Sequence, residues 1–131
     1  MLITRRSDYA MRIIRVLRDS KIHNVREMCE LEEIPKAFAY KILRELEMAG
    51  IVRSERGNQG GYQLNRPLDE MTPYDIVCIT EGDVAILHCM KMECENNPAD
   101  MPCKVHKEIA RIQDVLMEEL RKKSLAEILE A

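Results

Sequence analysis

Three cysteines and a histidine are the residues of this 131-residue chain best suited to chemistry, and they fall as Cys89-x4-Cys94-x8-Cys103-x2-His106. Three thiolates and an imidazole saturate a tetrahedral metal ion; the same set holds an iron–sulfur cluster through three cysteines and one weaker ligand. Spacing alone does not choose the metal, because zinc motifs use closely spaced cysteine pairs and only the first gap qualifies. Asn96, Asn97, Pro98, Asp100 and Pro102 make the stretch from His88 to Cys103 an irregular loop, in which the thiols are free to converge. His106 lies one turn into a helix expected to begin near Cys103, so it can face the same way as that thiolate. Cys29 and Cys78 sit in apolar helical patterns and read as buried core thiols. His23 and His88 have no partner in view and read as incidental. An odd count of five cysteines and the lack of an apolar export stretch in Met1–Arg6 argue against a disulfide framework, and the expectation is a cytoplasmic protein.

A second set of residues suits nucleic acid. Lys36, Tyr40, Lys41 and Arg44 recur along one apolar-backed segment, offering cations for phosphate and guanine and an aromatic ring for sugar or a thymine methyl. Arg53, Arg56, Asn58 and Gln59 flank a glycine-rich turn that permits close backbone approach to phosphate or the minor groove. Arg5 and Arg6 can reach backbone phosphates from the first helix. Glu45 and Glu47 lie in the same stretch, which keeps a protein-binding role for it open.

The elements that must position these groups follow from periodicity. Thr4 to Asp19 reads as a helix with Tyr9, Ile13, Val16 and Leu17 inward and arginines 5, 6, 12, 15 and 18 on the other faces. Asn24 caps a second helix, with Glu27 completing a capping box and Met28 and Leu31 inward. Pro35 sits at the first position of a third helix carrying Phe38, Ile42, Leu43 and Leu46 on one face, and Gly50 closes it. Tyr9, Phe38 and the methionines at 11, 28 and 48 are expected in the core. Ile51–Arg56 and Tyr62–Leu64 read as short strands joined by Gly57-Asn58-Gln59-Gly60-Gly61, a β-hairpin. Thr72-Pro73 starts a fourth helix that Gly82 ends. From Lys104 to about Lys123, Val105, Ile109, Ile112, Leu116 and Leu120 step by helical intervals, and Ser124 caps a last short helix. The expected fold is mainly α with a small β-hairpin wing. Residues 1–67 form a winged helix-turn-helix DNA-binding region; residues 68–131 carry the cysteine loop and dimerisation helices of the same compact unit.

Charge divides along the same line. Residues 1–66 hold 13 Lys and Arg against 9 Asp and Glu, whereas residues 67–131 hold 7 against 14. A basic first half joined to an acidic second half suggests two jobs in one chain. No run is long and apolar enough for a membrane span. With aromatic residues at 4% and no Trp, the core must be built from Leu, Ile, Val and Met, which favours helices packed on helices. The stripe on Lys104–Lys123 is too long for one short terminal helix to cover, so a homodimer is expected, matching a two-fold double-stranded DNA operator. There is no Ser/His/Asp set and no phosphate loop, so no enzyme and no small-molecule substrate is expected.

Ser7-Asp8-Tyr9-Ala10, Leu46-Glu47-Met48-Ala49-Gly50-Ile51-Val52, the wing Arg56-Gly57-Asn58-Gln59-Gly60-Gly61-Tyr62-Gln63-Leu64, Arg66-Pro67, Met71-Thr72 and the three-cysteine loop together resemble the Rrf family of bacterial winged-helix regulators, the IscR and NsrR group. The resemblance covers almost the whole chain. It implies a homodimer, a long C-terminal dimerisation helix and DNA binding governed by an iron–sulfur cluster on Cys89, Cys94 and Cys103. The implied fourth ligand is either His106, as in IscR-like members, or Asp8 of the partner subunit, as in NsrR-like members. A 2Fe-2S and a 4Fe-4S cluster both remain open. The function this implies is a transcription regulator, a repressor, sensing nitric oxide, redox state or iron–sulfur supply. Two alternatives stay open beside it: a metal-free thiol-redox regulator and a zinc-stabilised winged-helix interaction module.

Overall fold

Helical steps of apolar residues in the first fifty positions become three helices in the computed structural model, which describes residues 3–82, 85–90 and 93–130. They are α1 (Arg5–Leu17), α2 (Val25–Glu32) and α3 (Lys36–Met48). A hairpin of β1 (Val52–Glu55) and β2 (Gly61–Leu64) follows, then α4 (Pro73–Glu81), α5 (Lys104–Lys122) and α6 (Leu125–Leu129). Short 3-10 turns occupy Leu68–Glu70 and His88–Met90. The described part of the cysteine loop is otherwise irregular, as its Asn and Pro content predicts. The side chain of His88 lies outside the described residues.

The helix ends show why the breaks fall where they do. The Thr4 hydroxyl accepts from the Arg6 N–H at 3.2 Å and opens α1. Asn24 Oδ1 accepts from the Glu27 N–H at 2.8 Å and opens α2. The expected return half of that capping box is replaced, because the Glu27 carboxylate turns instead to His23 Nδ1, 3.1 Å away. Pro35 is the N-cap of α3 rather than its first helical residue, with an extended ψ of 133°. At the other end Gly50 takes φ 77°; its N–H donates to Glu47 O at 3.0 Å and the Ile51 N–H donates to Leu46 O at 2.9 Å. That pair of bonds satisfies two carbonyls the helix would otherwise leave open, and the left-handed conformation is what a side chain disfavours.

The core joins both halves of the chain. Ile13, Ile14 and Leu17 of α1, Met28 of α2, and Ile42, Leu43 and Leu46 of α3 are fully buried together with Ile51, Val52, Met71, Ile76 and Leu125. Leu125 of α6 is held there by its own N–H, which donates to Met71 O at 2.7 Å. Several expected core residues lie elsewhere. Leu31 is 63% and Met48 83% exposed. Each sits at the last turn of its helix, where the chain turns away from the core before the apolar stripe is complete. Phe38 is 42% exposed and packs edge-to-face on Tyr9, ring centroids 5.7 Å apart, so it closes the core from outside. Cys29 and Cys78 are half-buried, and burial pushes the Cys29 thiol up.

β1 and β2 pair antiparallel, Val52 opposite Leu64 and Glu55 opposite Gly61. His23 adds a single bridging residue on the outer side of β2: its N–H donates to Tyr62 O at 2.9 Å and the Tyr62 N–H donates to His23 O at 2.8 Å. Gly61 makes that approach possible, since a Cβ there would collide with the His23 carbonyl and stand 2.9 Å from Asn24 N. No residue of α5 is buried. Val105, Ile112 and Val115 are exposed, while Ile109, Leu116 and Leu120 are half-buried. Arg121 stacks over the Tyr74 ring at 3.8 Å, fastening the end of α5 to α4.

Gly61→Ala should part the hairpin from the His23 segment and cost about 1–3 kcal/mol of stability, as overpacking against backbone does. Urea denaturation measures the loss, and amide hydrogen exchange should show His23 and Tyr62 newly unprotected.

Candidate DNA-reading face and cysteine site

α3 and the hairpin enclose an open groove of about 690 Å³ lined by Ala37, Tyr40, Lys41, Arg44, Glu47 and Tyr62. Helical spacing places Tyr40, Lys41, Arg44 and Glu47 on the side of α3 opposite Ala39, Ile42, Leu43 and Leu46, which are buried. Lys36 is exposed at the start of the same helix, and Arg56, Asn58 and Gln59 are exposed at the hairpin tip. The groove also recruits Tyr62, half-buried on β2, which sequence spacing does not single out. Its position becomes visible only when the glycine turn folds the strand back over α3. Glu47 accepts from the Ser54 hydroxyl at 2.6 Å and ties the end of α3 to β1.

Not every expected DNA contact is free. Arg53 donates to Gln63 Oε1 at 2.9 Å and lies 3.6 Å from Glu55, so it braces the hairpin across the strands. Arg5 is exposed, whereas Arg6 is paired with Glu45 of α3. Sequence spacing cannot reveal that pair, because its members are 39 residues apart.

The cysteine loop surrounds a second cavity, of about 380 Å³, lined by Cys89, Glu93, Cys94, Asn97, Pro98, Ala99 and His106. Cys89 Sγ lies 3.6 Å from His106 Nδ1. Two donors on one tetrahedral metal, with bonds of about 2.3 Å to sulfur and about 2.05 Å to nitrogen, stand about 3.6 Å apart. Cys89 and His106 are hydrogen-bonded to each other, at a separation that two ligands of one metal ion would also have. Cys103 precedes the first residue of α5 and does not line the cavity; its N–H donates to Asn97 Oδ1 at 2.7 Å. Among the described residues no group of three or more His, Cys, Asp or Glu converges closely enough to hold a metal ion. The fold thus brings two cysteines and the histidine to one cavity and leaves the third thiol beside it. Asp8 lines a different cavity, with Met11, Arg12, Arg15, Ile128 and Leu129, and is paired with Arg12 at 3.0 Å.

The two sites meet through α1. Glu81, the last residue of α4, accepts from the Thr4 N–H at 3.2 Å, from the Thr4 hydroxyl and from the Ser7 hydroxyl at 2.7 Å. Ser7 is 1% exposed and also shares a hydrogen bond of 2.8 Å with Thr80. Burial opposes the Glu81 charge, but these donors outweigh it and hold its carboxyl below the usual range. The carboxylate also stands at the start of α1, where the helix dipole favours it. Two residues after Thr4, Arg6 reaches Glu45 on α3.

Glu81→Gln should lower stability by about 1–2 kcal/mol at neutral pH, the scale of lost hydrogen bonds to a charged group. A carboxyl with a lowered folded pKa stabilises fully above its ordinary value of 4.5 and loses that contribution as pH falls through the lowered value. The thermal midpoints of parent and variant should therefore converge in acid; a constant gap down to the acid limit would contradict this.

The chain matches the Rrf2 family, described as an iron-dependent transcriptional regulator, over residues 3–131. It is 26% identical over 133 residues to the protein aau3 of Rhizobium meliloti (strain 1021), covering 100% of this chain and 86% of that one. It is 32% identical over 92 residues to a candidate HTH-type transcriptional regulator of Aquifex aeolicus (strain VF5), covering 69% of this chain and 63% of that protein. Among solved structures it is similar to CymR, the global cysteine regulator of B. subtilis, with a TM-score of 0.80 at 22% identity over 99% of this chain and 97% of that one. T. potens IscR is similar at a TM-score of 0.77 and 20% identity, over 99% and 87% of the two chains.

Proposed function

This chain belongs to the Rrf2 family of transcriptional regulators, and we propose that it is a cytoplasmic, homodimeric repressor whose operator binding is controlled by an iron–sulfur cluster at the cysteine loop. The observation that carries the cluster is the convergence of Cys89, Cys94 and His106 on one cavity, with the Cys89–His106 separation matching two ligands of one metal. Cys89, Cys94 and Cys103 are the thiolate ligands, and His106 is the fourth. Asp8 of the partner subunit is the competing fourth ligand, and its pairing with Arg12 in this chain weighs for His106. Zinc would suit the same donors; the family's description as iron-dependent favours iron.

When bound, the cluster supplies a redox- and nitric-oxide-reactive centre. The protein's own part is mechanical. Cys103 stands one turn before His106 at the start of α5, so drawing it to the cavity reorders the loop between α4 and α5. α4 ends in Glu81, which holds Thr4 and Ser7, and α1 in turn holds Glu45 of α3 through Arg6. A change in the loop thereby reaches the DNA-reading helix through packed elements. The exposed stripe of Val105, Ile112 and Val115 on α5 supplies the surface for the second protomer.

On the DNA side Lys36, Tyr40, Lys41 and Arg44 read the major groove while Arg56, Asn58 and Gln59 reach the backbone or minor groove from the wing. CymR of B. subtilis, an alternative guide to the sensing chemistry, is the global cysteine regulator, and S. aureus CymR has been solved in an oxidized form. A metal-free thiol mechanism is accordingly the second reading. Cys89 and Cys94 on one cavity are the thiols it would use.

Anaerobically purified protein should contain iron and acid-labile sulfide. Cys89→Ser, Cys94→Ser and Cys103→Ser should each abolish the visible chromophore, while Cys29→Ser and Cys78→Ser retain it. Stoichiometric zinc without sulfide would support the interaction-module alternative, and colourless, metal-free protein the thiol one.

Against a duplex selected by the protein from a random-sequence pool, Lys41→Ala and Arg44→Ala should each lose about 1–3 kcal/mol where a base contact is removed. Arg56→Ala should weaken all sequences alike and lower the salt slope by about one. Fluorescence anisotropy at several salt concentrations measures both, and parent-like binding by all three variants would reject the DNA-reading assignment.

A further inference from the structure

The wing is anchored to the body by the connection between α1 and α2, and the anchor is His23. Its backbone makes both bonds of the bridge to Tyr62. A second tie runs beside it, where Gln63 Nε2 donates to Ser20 O at 2.6 Å. Gly61 leaves no room for a side chain between the two segments. The hairpin that presents Arg56, Asn58 and Gln59 is therefore bridged to the connection between α1 and α2, not a free arm, and its direction is set by how firmly residues 19–24 are held.

What holds residues 19–24 is the imidazole, whose side chain is 14% exposed. Its Nε2 hydrogen-bonds Asp19 Oδ1 at 2.9 Å and Oδ2 at 3.0 Å, and its Nδ1 stands 3.1 Å from Glu27 Oε1. Both neighbours are carboxylates, which only accept. A neutral imidazole has one N–H, so one ring nitrogen would turn a lone pair towards a carboxylate. The doubly protonated ring meets Asp19 with a hydrogen bond at Nε2 and Glu27 with a charge pair at Nδ1, which makes no hydrogen bond of its own.

We infer that His23 is a positioning residue for the wing: as an imidazolium between Asp19 and Glu27 it fixes the segment that β2 is bridged to, and operator affinity follows its protonation. The inference rests on the proposal that the wing contacts DNA.

The other charged groups around the ring agree with this. The Lys21 N–H donates to Asp19 Oδ1 at 2.9 Å and steadies that carboxylate. Arg18 and Glu32 line the adjoining cavity with Val16, Asp19 and Leu31, and Glu32 is occupied by Arg15. From β2 only the Tyr62 backbone bonds to this residue. Burial opposes the charge on His23, but Asp19 and Glu27 outweigh it and raise the pKa above the ordinary 6.5. With a raised folded pKa, the clamp is complete below pH 6.5 and is lost as pH rises through the raised value.

The test is operator affinity against pH, measured anaerobically on the full chain with the pool-selected duplex. The parent should lose about fivefold in affinity between pH 6 and pH 9, the scale of an ion-pair contribution near its upper range. His23→Gln should show the weaker affinity throughout with that pH step removed, and Asp19→Asn should remove the same step. His23→Arg, charged at every pH, should hold the stronger affinity across the range. A parent-like pH step in His23→Gln and Asp19→Asn, with Arg56→Ala still flattening the salt dependence, overturns this inference alone. If Arg56→Ala leaves the salt dependence untouched, the wing does not contact DNA, and the reading beneath the inference falls with it. Circular dichroism of each variant keeps loss of folding apart from loss of positioning.

Discussion

One carboxylate, Glu81, holds the beginning of the first helix to the end of the fourth. Its donors are the N–H of Thr4, the cap of α1, and two hydroxyls, one of them on a fully buried serine. A charge placed there is stabilised by the helix dipole as well as by hydrogen bonds, so α1 and α4 meet at one fixed geometry rather than sliding along an apolar seam. α3 takes its position from α1, through shared burial of Ile13, Ile14 and Leu17 with Leu43 and Leu46 and through the Arg6–Glu45 pair. The cysteine loop takes its point of departure from α4. Both functional regions are therefore referenced to the same joint.

The placement of arginines follows a related logic. Of the basic residues in the first half, Arg6, Arg12, Arg15 and Arg53 are engaged within the protein, by Glu45, Asp8, Glu32 and Gln63. Those that remain on the α3 and hairpin face are Lys36, Lys41, Arg44 and Arg56. A net positive half-chain thus divides into cations that hold the body together and cations left exposed on the α3 and hairpin face. Exposed pairs of this kind contribute little individually to stability, so their value lies in fixing orientation at α1 and the wing. α5 is the opposite case, an amphipathic helix with no buried residue and three exposed aliphatics, and it has little structural purpose until a further surface covers it.

Much of the architecture is legible in local sequence. Thr4, Asn24, Thr72 and Ser124 mark helix starts, Gly50 and Gly82 mark ends, and the glycines at 57, 60 and 61 mark the hairpin, because capping and left-handed turns are decided by a residue and its immediate neighbours. The same holds for the identity of the chemistry. Cysteine and histidine are the candidate donors whatever the fold, and Lys36, Tyr40, Lys41 and Arg44 share a helix face by spacing alone.

Tertiary structure decided what spacing cannot. His23 has no partner in its local pattern of apolar residues, yet it is clamped by two carboxylates and bridged to Tyr62, because β2 returns to it from 39 residues away. Arg6 is drawn from the pool of DNA contacts by Glu45, and Leu31 and Met48 leave the core because each helix turns off before its last apolar step is used. Among the cysteines, sequence names three equivalent ligands, whereas the fold sets Cys89 and Cys94 on one cavity with His106 and leaves Cys103 at its side. The physical reason is common to all of these: residue type and helical period fix what a side chain can bond to, but which partner it meets depends on long-range packing that no local interval encodes.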